Sequence, residues 1–260
     1  MNGIAGNKRI MPPTGVIIAN LQSQNAAISP SRQDIHRMFD RIARRYDILN
    51  RLLSFGQDIL WRKKLAKILN KDKAETVLDL ATGTADVLLS VHKYNQAMRL
   101  GVGIDLAAEM LQVGRYKLER ANLSGKTLLL RADVLSVPIA DNSFDAVTIS
   151  FGIRNVVDVP KALKEMWRVL KTGGKALILE FALPPNPLLR RIFLIYLHSF
   201  IPFIGGMVSG NNRAYKYFHE TVETFPYGEE FVQLMKDAGF KEVKMHRLTF
   251  GVAIIYEGVK

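Results

Sequence analysis

The chain of 260 residues has no cysteine. That absence excludes disulfides, thiolate metal sites and a cysteine nucleophile, and the fold needs no oxidising compartment. Acidic residues are few as well: 24 Asp and Glu stand against 36 Lys and Arg, which gives a net charge of +12. This excess of positive charge favours an anionic partner, which could be nucleic acid, an acidic substrate or an anionic membrane face.

The first 31 residues contain no acidic side chain and show little periodicity. Gly, Asn, Pro and Ser recur there, so residues 1–31 are predicted to form a flexible leader. No signal-peptide pattern is present. Residues 32–260 are enough for one domain, and the 48% hydrophobic content of the chain supplies a sizeable core.

Residues 32–72 carry apolar side chains at helical spacing and are predicted to form two helices, separated by a turn at Ser54-Phe55-Gly56. Asp34 could cap the first helix. From Thr76 onward, strands and helices alternate strictly. The predicted strands are Thr76–Leu80, a segment ending at Asp105, and the segments KTLLLRADV, FDAVTISFG and KALILEF, the last preceded by a helix Val159–Leu170 and a turn at residues 171–174. This alternation is typical of right-handed βαβ units in a parallel sheet covered on both faces.

The C-terminal region breaks the alternation. A helix near Glu229–Ala238 leads to the strand VKMHRLTF, and a second strand, VAIIYEGV, follows Gly251. Two strands this close in sequence cannot be joined by a crossover helix, so they must form an antiparallel hairpin. The predicted fold class is α/β: a mostly parallel seven-stranded sheet with an antiparallel C-terminal hairpin and helices on both faces. This is the architecture of Rossmann-like class I methyltransferases.

The stretch VLDLATGTAD places small residues between the first strand and the helix that follows. Backbone N–H groups at such a turn, which contains Gly83, can approach an anionic group closely. Acids end the next two strands: Asp105, where a carboxylate accepts from ribose hydroxyls, and Asp133, which can accept from an adenine amino group while Val134 offers its backbone N–H. Together they indicate S-adenosylmethionine. The structural alternative is a tight turn with two helix-capping aspartates.

The fourth strand is followed by SFGIRN, which places Arg154 and Asn155 directly after a hydrophobic run. In this architecture the segment adjoins the transferable methyl group, so it should face the methyl acceptor. The Asn/Asp-Pro-Pro-Tyr motif of amino methylation on nucleic acids is absent there, and carbon-5 pyrimidine methylation needs a cysteine. Interleaved aromatic and basic residues are missing too. Nucleic acid is therefore not the expected partner, despite the positive charge.

Residues 184–227 form an insertion that is too long for an ordinary connection between a strand and a helix. Its apolar part, Ile192 to Val208, is shorter than the roughly 20 residues that a membrane-spanning helix needs. Two interpretations follow from the residues alone. The insertion could pack on the core of the domain, or it could form an apolar lid over a hydrophobic ligand and touch a bilayer.

Five segments, in the same order, resemble the ubiquinone/menaquinone biosynthesis C-methyltransferase family. They are MFDRIARRYDILNRLLSFG, LDLATGTAD, VTISFGIRNV, WRVLKTGGKALILEF and DAGFKEVKMHRLTFGVAIIYEGVK. The Tyr46-Asp47 pair, Ser54-Phe55-Gly56 and SFGIRN are the family-specific parts. The block AYKYFHETVETFP also resembles the family's Tyr-x-Tyr-Leu-x-Glu-Ser motif, with Phe218 and Thr221 in place of Leu and Ser.

The resemblance implies C-methylation of a prenylated quinol, with S-adenosylmethionine as the methyl donor and no metal. It also implies that Thr84, Asp105, Asp133 with Val134, and Ser150 bind this donor. The expected acceptor is demethylmenaquinol, in menaquinone biosynthesis. The alternative acceptors are a methoxy-polyprenyl-benzoquinol of ubiquinone biosynthesis, both quinols, or another small lipid-like molecule. A non-enzymatic alternative is a cofactor-binding scaffold that has lost catalysis.

Ala85 departs from the family, which usually has glycine at this place in the cofactor loop. An alanine methyl group could crowd the cofactor if the residue needs a positive φ. Alanine is the smallest replacement for glycine, so we expect it to be tolerated.

The implied chemistry assigns roles to the residues after the fourth strand. The quinol must lose a phenolic proton, and the enzyme must orient the attacking carbon, stabilise the phenolate and exclude water. Arg154 is a permanent cation suited to phenolate, and Asn155 can orient a ring oxygen, while water, His198 or His219 takes the proton. Alternatively, Arg154 bridges surface acids such as Asp158.

Long isoprenoid tails need apolar walls and a path from the bilayer, so the resemblance favours the lid interpretation, in particular for Phe193 to Met207. Arg190, Arg191 and other basic side chains would hold the protein against anionic lipid. The chain is thus expected in the cytoplasm, peripherally associated with the inner face of the membrane. A homodimer is left open.

Overall fold

The computed structural model describes residues 35–200 and 212–260, with side chains left out at residues 44 and 212–217. The predicted leader at residues 1–31 and the proposed cap Asp34 lie outside these ranges. So do residues 201–207 of the predicted lid.

The described residues form a central sheet of seven strands flanked by helices. The helices are α1 (Ile35–Leu53), α2 (Gln57–Lys71), α3 (Asp86–Tyr94), α4 (Ala108–Arg120), α5 (Val159–Val169), α6 (Pro187–Ile195), α7 (Asn212–Thr224) and α8 (Glu229–Asp237). The strands are β1 (Thr76–Leu80), β2 (Leu100–Asp105), β3 (Thr127–Arg131), β4 (Phe144–Ser150), β5 (Leu170–Phe181), β6 (Lys241–Leu248) and β7 (Ala253–Val259). Short 3-10 helices occupy Ile153–Asn155 and Thr249–Gly251, and a π-helical turn spans Tyr196–Phe200.

The strand order is β3-β2-β1-β4-β5-β7-β6, which confirms the predicted fold class. Strands β1 to β5 pair in parallel, and β7 runs antiparallel to both of its neighbours. The reversed strand is not at the edge, because it lies between β5 and β6. Its first residue, Ala253, pairs with Phe181 at the end of β5. The turn before β7 therefore lies at the same edge of the sheet as the loops that follow the parallel strands.

The core is divided between the two faces of the sheet by the alternation of side chains along each strand. Leu78 and Leu80 of β1 lie in one apolar cluster with Val147, whereas Val77 lies in another with Ala146. Strand β4 is buried almost throughout, as expected for a central parallel strand covered by helices on both faces. Both faces of the sheet are thus covered, and the loops that follow β1 to β5 meet at one edge because these strands run in parallel.

Strand β5 begins earlier than the sequence suggested. Leu170 already pairs with Phe144, and the register then shifts so that Lys175 pairs with Ala146. The predicted turn at residues 171–174 is thus an irregularity within the strand, with Gly173 at a φ of 78°. A glycine tolerates this left-handed conformation, which explains how the strand can bulge there and continue.

The insertion contributes α6, the π-helical turn and α7. Asn186 caps α6 by accepting hydrogen bonds from the backbone N–H groups of Leu188 and Leu189, at 2.9 and 3.2 Å. Phe193, Leu197 and Val222 form a buried apolar cluster with partly buried neighbours that include Leu53 and Phe181. Among the described residues, no helix combines the length and the apolar character of a membrane span. The described part of the insertion therefore packs against α1 and the end of β5.

Candidate active site

A cavity of about 290 Å³ opens at the carboxyl ends of the parallel strands. Five of the predicted cofactor residues line it: Gly83, Asp105, Asp133, Val134 and Ser150. Asn155, Gly152, Phe39 and Tyr46 also contribute to its walls. A Cβ atom added to Gly83 would have no other atom within 4 Å. The turn therefore leaves open space beside the backbone of Gly83. The strand-end residues are thus brought together around one volume.

Asp105 is fixed at the end of β2 by two backbone donors. Its Oδ2 accepts from the N–H of Gly83 and its Oδ1 from the N–H of Ala107, each at 2.8 Å. Burial raises the pKa of this carboxyl, although the backbone N–H groups of Ala107 and Gly83 oppose the shift. Each oxygen keeps a second lone pair, so the carboxylate can still accept from a pair of ligand hydroxyls.

Asp133 and Ser150 complete the polar lining. The Oδ1 of Asp133 accepts from the N–H of Leu135 at 2.9 Å, which orients the carboxylate at the end of β3. The Oγ of Ser150 is buried and has no hydrogen-bond partner among the residues that the structure describes. A buried hydroxyl without a partner is uncommon in proteins and calls for an explanation. A polar ligand in the cavity would satisfy it, so the donor set fits the predicted S-adenosylmethionine.

Thr84, by contrast, is not among the residues that line the cavity. Its buried hydroxyl donates to Asp47 of α1 at 2.6 Å and accepts from the Nζ of Lys117 at 3.2 Å. Lys117 also pairs with Asp86 and with Asp47. The structure therefore places Thr84 in a network that ties α1 to the cofactor loop and to α4, rather than at the cavity wall.

This ionic network continues into α2. Arg62 pairs with Asp58 at 2.7 Å and with Asp86 at 3.4 Å, and all three side chains are largely buried. Burial alone would raise the pKa of Asp86, but Arg62 and Lys117 hold it below its usual value. Asp47, which accepts from Thr84 and pairs with Lys117, thus contacts the loop after β1 from outside the cavity.

Ala85 adopts the left-handed conformation that the sequence comparison with the family suggested, with φ 63° and ψ 23°. The residue is fully buried at the start of α3. Its methyl group lies next to Gly114, where an added Cβ would be 3.3 Å away. Because Ala85 does not line the cavity, its methyl group contacts α4 rather than the space for a cofactor.

A second, larger cavity of about 430 Å³ adjoins the first. The two share Phe39, Tyr46, Phe151 and Asn155 in their walls. Most of the other lining residues are apolar. They come from α1, the α1–α2 turn, α2, the end of β5, the insertion and the turn before β7, and they include Met38, Ile42, Leu49, Phe55, Trp61, Phe181, Ile192, Phe193, Leu197, Phe218, Phe250 and Val252. This is a largely hydrophobic chamber with polar side chains at two places. Arg154 and Asn155 lie beside the strand ends, and a second polar group comes from α1, α2 and the turns beside them: Asn50, Ser54, Gln57, Asp58, Arg62 and Thr249.

Arg154 lines the larger cavity and is only 7% exposed. Its Nη1 donates to an oxygen of Glu180 and to the carbonyl of Phe151, each at 2.7 Å. The guanidinium carbon lies 5.4 Å from the ring centre of Phe181 and 5.2 Å from that of Phe218. Its Nε is buried and has no partner within the described part of the chain. Nη1 makes both side-chain hydrogen bonds of this residue, so the N–H groups on Nε and Nη2 have no acceptor among the described residues.

The alternative in which Arg154 bridges Asp158 is wrong. Asp158 instead caps α5, accepting from the backbone N–H of Lys161 at 2.9 Å. The actual partner, Glu180, is 1% exposed and also accepts from the backbone N–H of Phe181 at 2.9 Å. Burial raises the pKa of Glu180, while Arg154 opposes the shift.

Sequence reasoning missed two buried acids, Glu180 and Asp79. Asp79 lies in β1 and accepts from the hydroxyls of Thr148, at 2.6 Å, and Thr82, at 2.7 Å. Burial raises its pKa to about 7 even though both hydroxyls favour the charged form. An acidic residue inside an otherwise apolar strand was the available signal, because such a residue must find partners when it is buried.

Tyr46 lines the cavities, whereas the two candidate histidines do not. Tyr46 lines both cavities, and burial raises the pKa of its phenol. His198 contacts the carboxylate of Glu223, and His219 lies 3.8 Å from the same oxygen. Neither imidazole is among the residues that line the larger cavity, although their neighbours Leu197 and Phe218 are.

Known proteins are similar to this chain in sequence or in fold. A demethylmenaquinone methyltransferase of Thermus thermophilus is 44% identical over 85% of this chain and 99% of its own length. A protein of Geobacter sp. strain M21, named ubiquinone/menaquinone biosynthesis C-methyltransferase UbiE, is 45% identical over 90% of this chain and 99% of its own. A solved structure, an O-methyltransferase family protein from Burkholderia thailandensis, superposes with a TM-score of 0.63 at 17% identity, covering 95% of this chain and 72% of that one. This last likeness concerns the fold alone.

A family profile also matches this chain. The profile of the ubiE/COQ5 methyltransferase family matches residues 27–260, which is nearly the whole chain. The predicted enzyme class, a methyltransferase that uses S-adenosylmethionine, is thereby confirmed. This chain belongs to the ubiE/COQ5 methyltransferase family.

Proposed function

We propose that this enzyme transfers a methyl group from S-adenosylmethionine to a ring carbon of a prenylated quinol, with demethylmenaquinol as its acceptor. The observation that carries the proposal is the apolar cavity of about 430 Å³ that adjoins the strand-end cavity and contains a buried guanidinium. The names of the similar Thermus and Geobacter proteins support a quinone acceptor. A methoxy-polyprenyl-benzoquinol is the second candidate, because the Geobacter name covers both pathways.

The smaller cavity would hold the methyl donor. In our proposal Asp105 receives the ribose hydroxyls, Asp133 and the backbone of Val134 the adenine, and Gly83 with Ser150 the amino-acid part. S-adenosylmethionine supplies an electrophilic methyl group on a sulfonium. The partnerless Oγ of Ser150 and the open space beside Gly83 support this assignment. Thr84 acts indirectly, by joining the loop to Asp47.

Arg154 and Asn155 would act on the ring of the acceptor. The charge of Arg154 is already balanced by Glu180, so its effect on a phenolate comes through an oriented N–H rather than through a free cation. We assign the quinol oxygen to the guanidinium N–H groups that bind neither Glu180 nor Phe151. Asn155 lines both cavities and is suited to orient a second ring oxygen. The developing negative charge is thus met by protein donors, and the proposal requires no metal ion.

The proton must leave through another group. Tyr46 remains a protonated donor across the neutral range, because burial raises the pKa of its phenol. His198 and His219 do not line the cavity. We therefore assign the phenolic proton to water. The apolar walls restrict that water to the polar parts of the lining, among them the surroundings of Arg154 and Asn155.

Residues 184–227 serve as the lid in this proposal. Leu189, Ile192, Phe193, Leu197 and Phe218 line the larger cavity from the insertion. These apolar side chains suit an isoprenoid tail better than a polar acceptor. A substrate with such a tail resides in a bilayer, so we also propose that the enzyme works at the inner face of the membrane. Dimerisation stays a prediction.

The test is methyl transfer to two chemically reduced acceptors in liposomes, read by mass spectrometry. One acceptor is a demethylmenaquinol, the other a methoxy-polyprenyl-benzoquinol, and the unreduced quinones are controls. Methylation of the reduced forms alone supports the quinol mechanism, and the ratio of the two products assigns the pathway. If the protein binds S-adenosylmethionine and methylates neither quinol, the proposal is wrong and another lipid-like acceptor must be sought.

A further inference from the structure

Two phenylalanines project from turns at the open end of the larger cavity. Phe55, in the α1–α2 turn, is 70% exposed, and Phe250, in the turn before β7, is 79% exposed. Both have a positive φ, 50° and 57° respectively. Bulky side chains rarely adopt this region, and such strain persists only where the surroundings enforce it. Strained turns that expose phenylalanine to water need a reason beyond folding.

Neither turn is loose. In the turn before β7, the hydroxyl of Thr249 accepts from the indole of Trp61 at 2.8 Å and donates to Gln57 at 3.0 Å. Gly251 packs so closely on Pro185 that an added Cβ would lie 2.8 Å from its ring. These contacts tie the turn to α2 and to the start of the insertion. Phe250 is therefore held in its projecting position by contacts of its turn with two other segments of the chain.

Phe55 is held against the insertion in the same way. Its ring centre lies 5.9 Å from that of Tyr196 and 6.0 Å from that of Phe200. The hydroxyl of Tyr196 also donates to the carbonyl of Leu53. Both phenylalanines thus project from fixed positions beside the insertion.

The same side chains form the rim of the cavity. Phe55, Phe250 and Ile192 line it and are at the same time more than half exposed. Leu188 and Ile195 are exposed as well and lie one turn to either side of Ile192 on α6. These five residues, called the apolar rim below, present hydrocarbon to solvent around the opening. An exposed patch of this kind marks an interaction surface.

The three chain segments that carry or adjoin the rim have an excess of positive charge, and the nearby acid Glu223 of α7 lies against His198. Residues 182–200 contain Arg190 and Arg191 and no acid, and residues 243–256 contain no acid either. On α2 the exposed Lys64 and Lys67 follow the turn, whereas Asp58, the acid nearest to it, is buried against Arg62. No exposed carboxylate in these three segments would repel an anionic surface.

We propose that the apolar rim and its basic surroundings dock onto an anionic phospholipid bilayer, with Phe55 and Phe250 inserted at the boundary between headgroups and acyl chains. Apolar insertion together with electrostatic attraction is how peripheral proteins bind bilayers. The cavity then opens into the hydrocarbon, and an isoprenoid tail can enter it without crossing water. This inference rests on the proposed function, because a prenylated acceptor is what makes that opening useful.

The test measures binding of the full-length protein to sedimented vesicles without donor or acceptor. Vesicles of phosphatidylcholine alone are compared with vesicles that also contain phosphatidylglycerol. Phe55→Asn and Phe250→Asn are the variants, because asparagine tolerates a positive φ and keeps the turns intact. Each should weaken binding about tenfold, since a phenylalanine leaves the hydrocarbon. Lys64→Gln with Lys67→Gln should reduce the preference for phosphatidylglycerol.

Tyr116→Asn is the matched control, because Tyr116 is 60% exposed on α4 and lines neither cavity. Its binding should equal that of the parent protein. Equal binding by the Phe55 and Phe250 variants would overturn the proposal. Light scattering without vesicles is the second measurement: a dimer that these variants dissociate would assign the rim to a second copy of the chain instead. Vesicle binding that needs the rim, in a protein that methylates neither quinol, would overturn the proposed function alone.

Discussion

Arg154 and Glu180 form a buried ion pair, with Nη1 and Oε1 2.7 Å apart at the wall of the larger cavity. Removing one partner of such a pair leaves the other charge buried and uncompensated, which costs about 3–5 kcal/mol. The two residues must therefore be considered together. Their charges cancel, and what they offer to the cavity is a fixed N–H donor.

Arg154→Lys should lower kcat about as much as Arg154→Gln, by roughly a hundredfold. Lysine keeps the charge but lacks the planar fork, so it cannot pair with Glu180 and also present an N–H at the position of Nε. Steady-state turnover of quinol measures the fall in kcat, and titration with S-adenosylmethionine checks that each variant still binds the donor. Arg99→Gln, at an exposed arginine, is the control. Turnover of Arg154→Lys close to that of the parent protein would show that charge alone suffices.

Glu180→Gln should move the acid limb of the kcat profile to lower pH. The substitution leaves Arg154 as an uncompensated cation, which stabilises phenolate and lowers the pKa of the bound quinol. Folding stability should fall by about 3 kcal/mol at the same time. A pH series of turnover, with urea unfolding beside it, separates the effects. Loss of stability with an unshifted profile would reduce Glu180 to a structural residue.

Asp79 should make the protein less stable as the pH rises. Its pKa is about 7 in the folded protein, against about 3.9 for an unperturbed aspartate. The folded state thus binds more protons between these values, and the stabilising contribution, full below about pH 4, is lost as the pH rises to about 7. The loss is on the order of 4 kcal/mol at most. Urea unfolding across this window should show a flatter dependence for Asp79→Asn, and equal slopes would contradict the assignment.

Ser150→Ala should weaken binding of S-adenosylmethionine about tenfold without destabilising the ligand-free protein. Leaving a buried hydroxyl unpaired costs about 1–3 kcal/mol, so its removal is neutral or stabilising when the ligand is absent. Calorimetric titration and thermal unfolding measure the two quantities. Ser136→Ala, at an exposed serine, should change neither. A variant that unfolds more easily but binds the donor normally would rule out the role assigned to Ser150.

Ala85→Gly should change the free energy of unfolding by less than about 1 kcal/mol. Relief of the left-handed conformation gains about 1–2 kcal/mol, and the lost methyl group, with the greater freedom of the unfolded chain, offsets most of it. Affinity for S-adenosylmethionine should be unchanged, because the methyl group contacts α4 rather than the cavity. Ala85→Val places a branched side chain at the same positive φ and should lower the free energy of unfolding by clearly more than Ala85→Gly changes it. A glycine variant that binds the donor much more tightly would show that Ala85 crowds the cofactor after all.

The sheet was predictable because its signals are local. The runs around Leu78 and Val147 alternate with amphipathic helices, and Asp105 and Asp133 end strands that can be recognised from a few residues each. The position of the reversed strand, between β5 and β6, was not predictable in this way. It depends on pairing between segments more than 70 residues apart, for which no short pattern exists.

Side-chain direction explains what was missed at the site. Thr84 belongs to the cofactor loop, yet its hydroxyl is drawn away from the cavity by Asp47, 37 residues earlier. In the sequence, Glu180 is simply a polar residue at the end of an apolar strand. Its partner Arg154 becomes visible only when the structure places β5 beside the turn that follows β4. In both cases the decisive partner comes from a distant segment, and only the tertiary structure identifies it.

The ring of Phe218 belongs to α7 and lies against Arg154, so one side chain is at once a wall of the chamber and a neighbour of the guanidinium. A substitution at Phe218 would therefore change the shape of the apolar chamber and the surroundings of the guanidinium together. Acceptor fit and the environment of this cation are coupled through a single ring, and no change at position 218 can adjust one without altering the other.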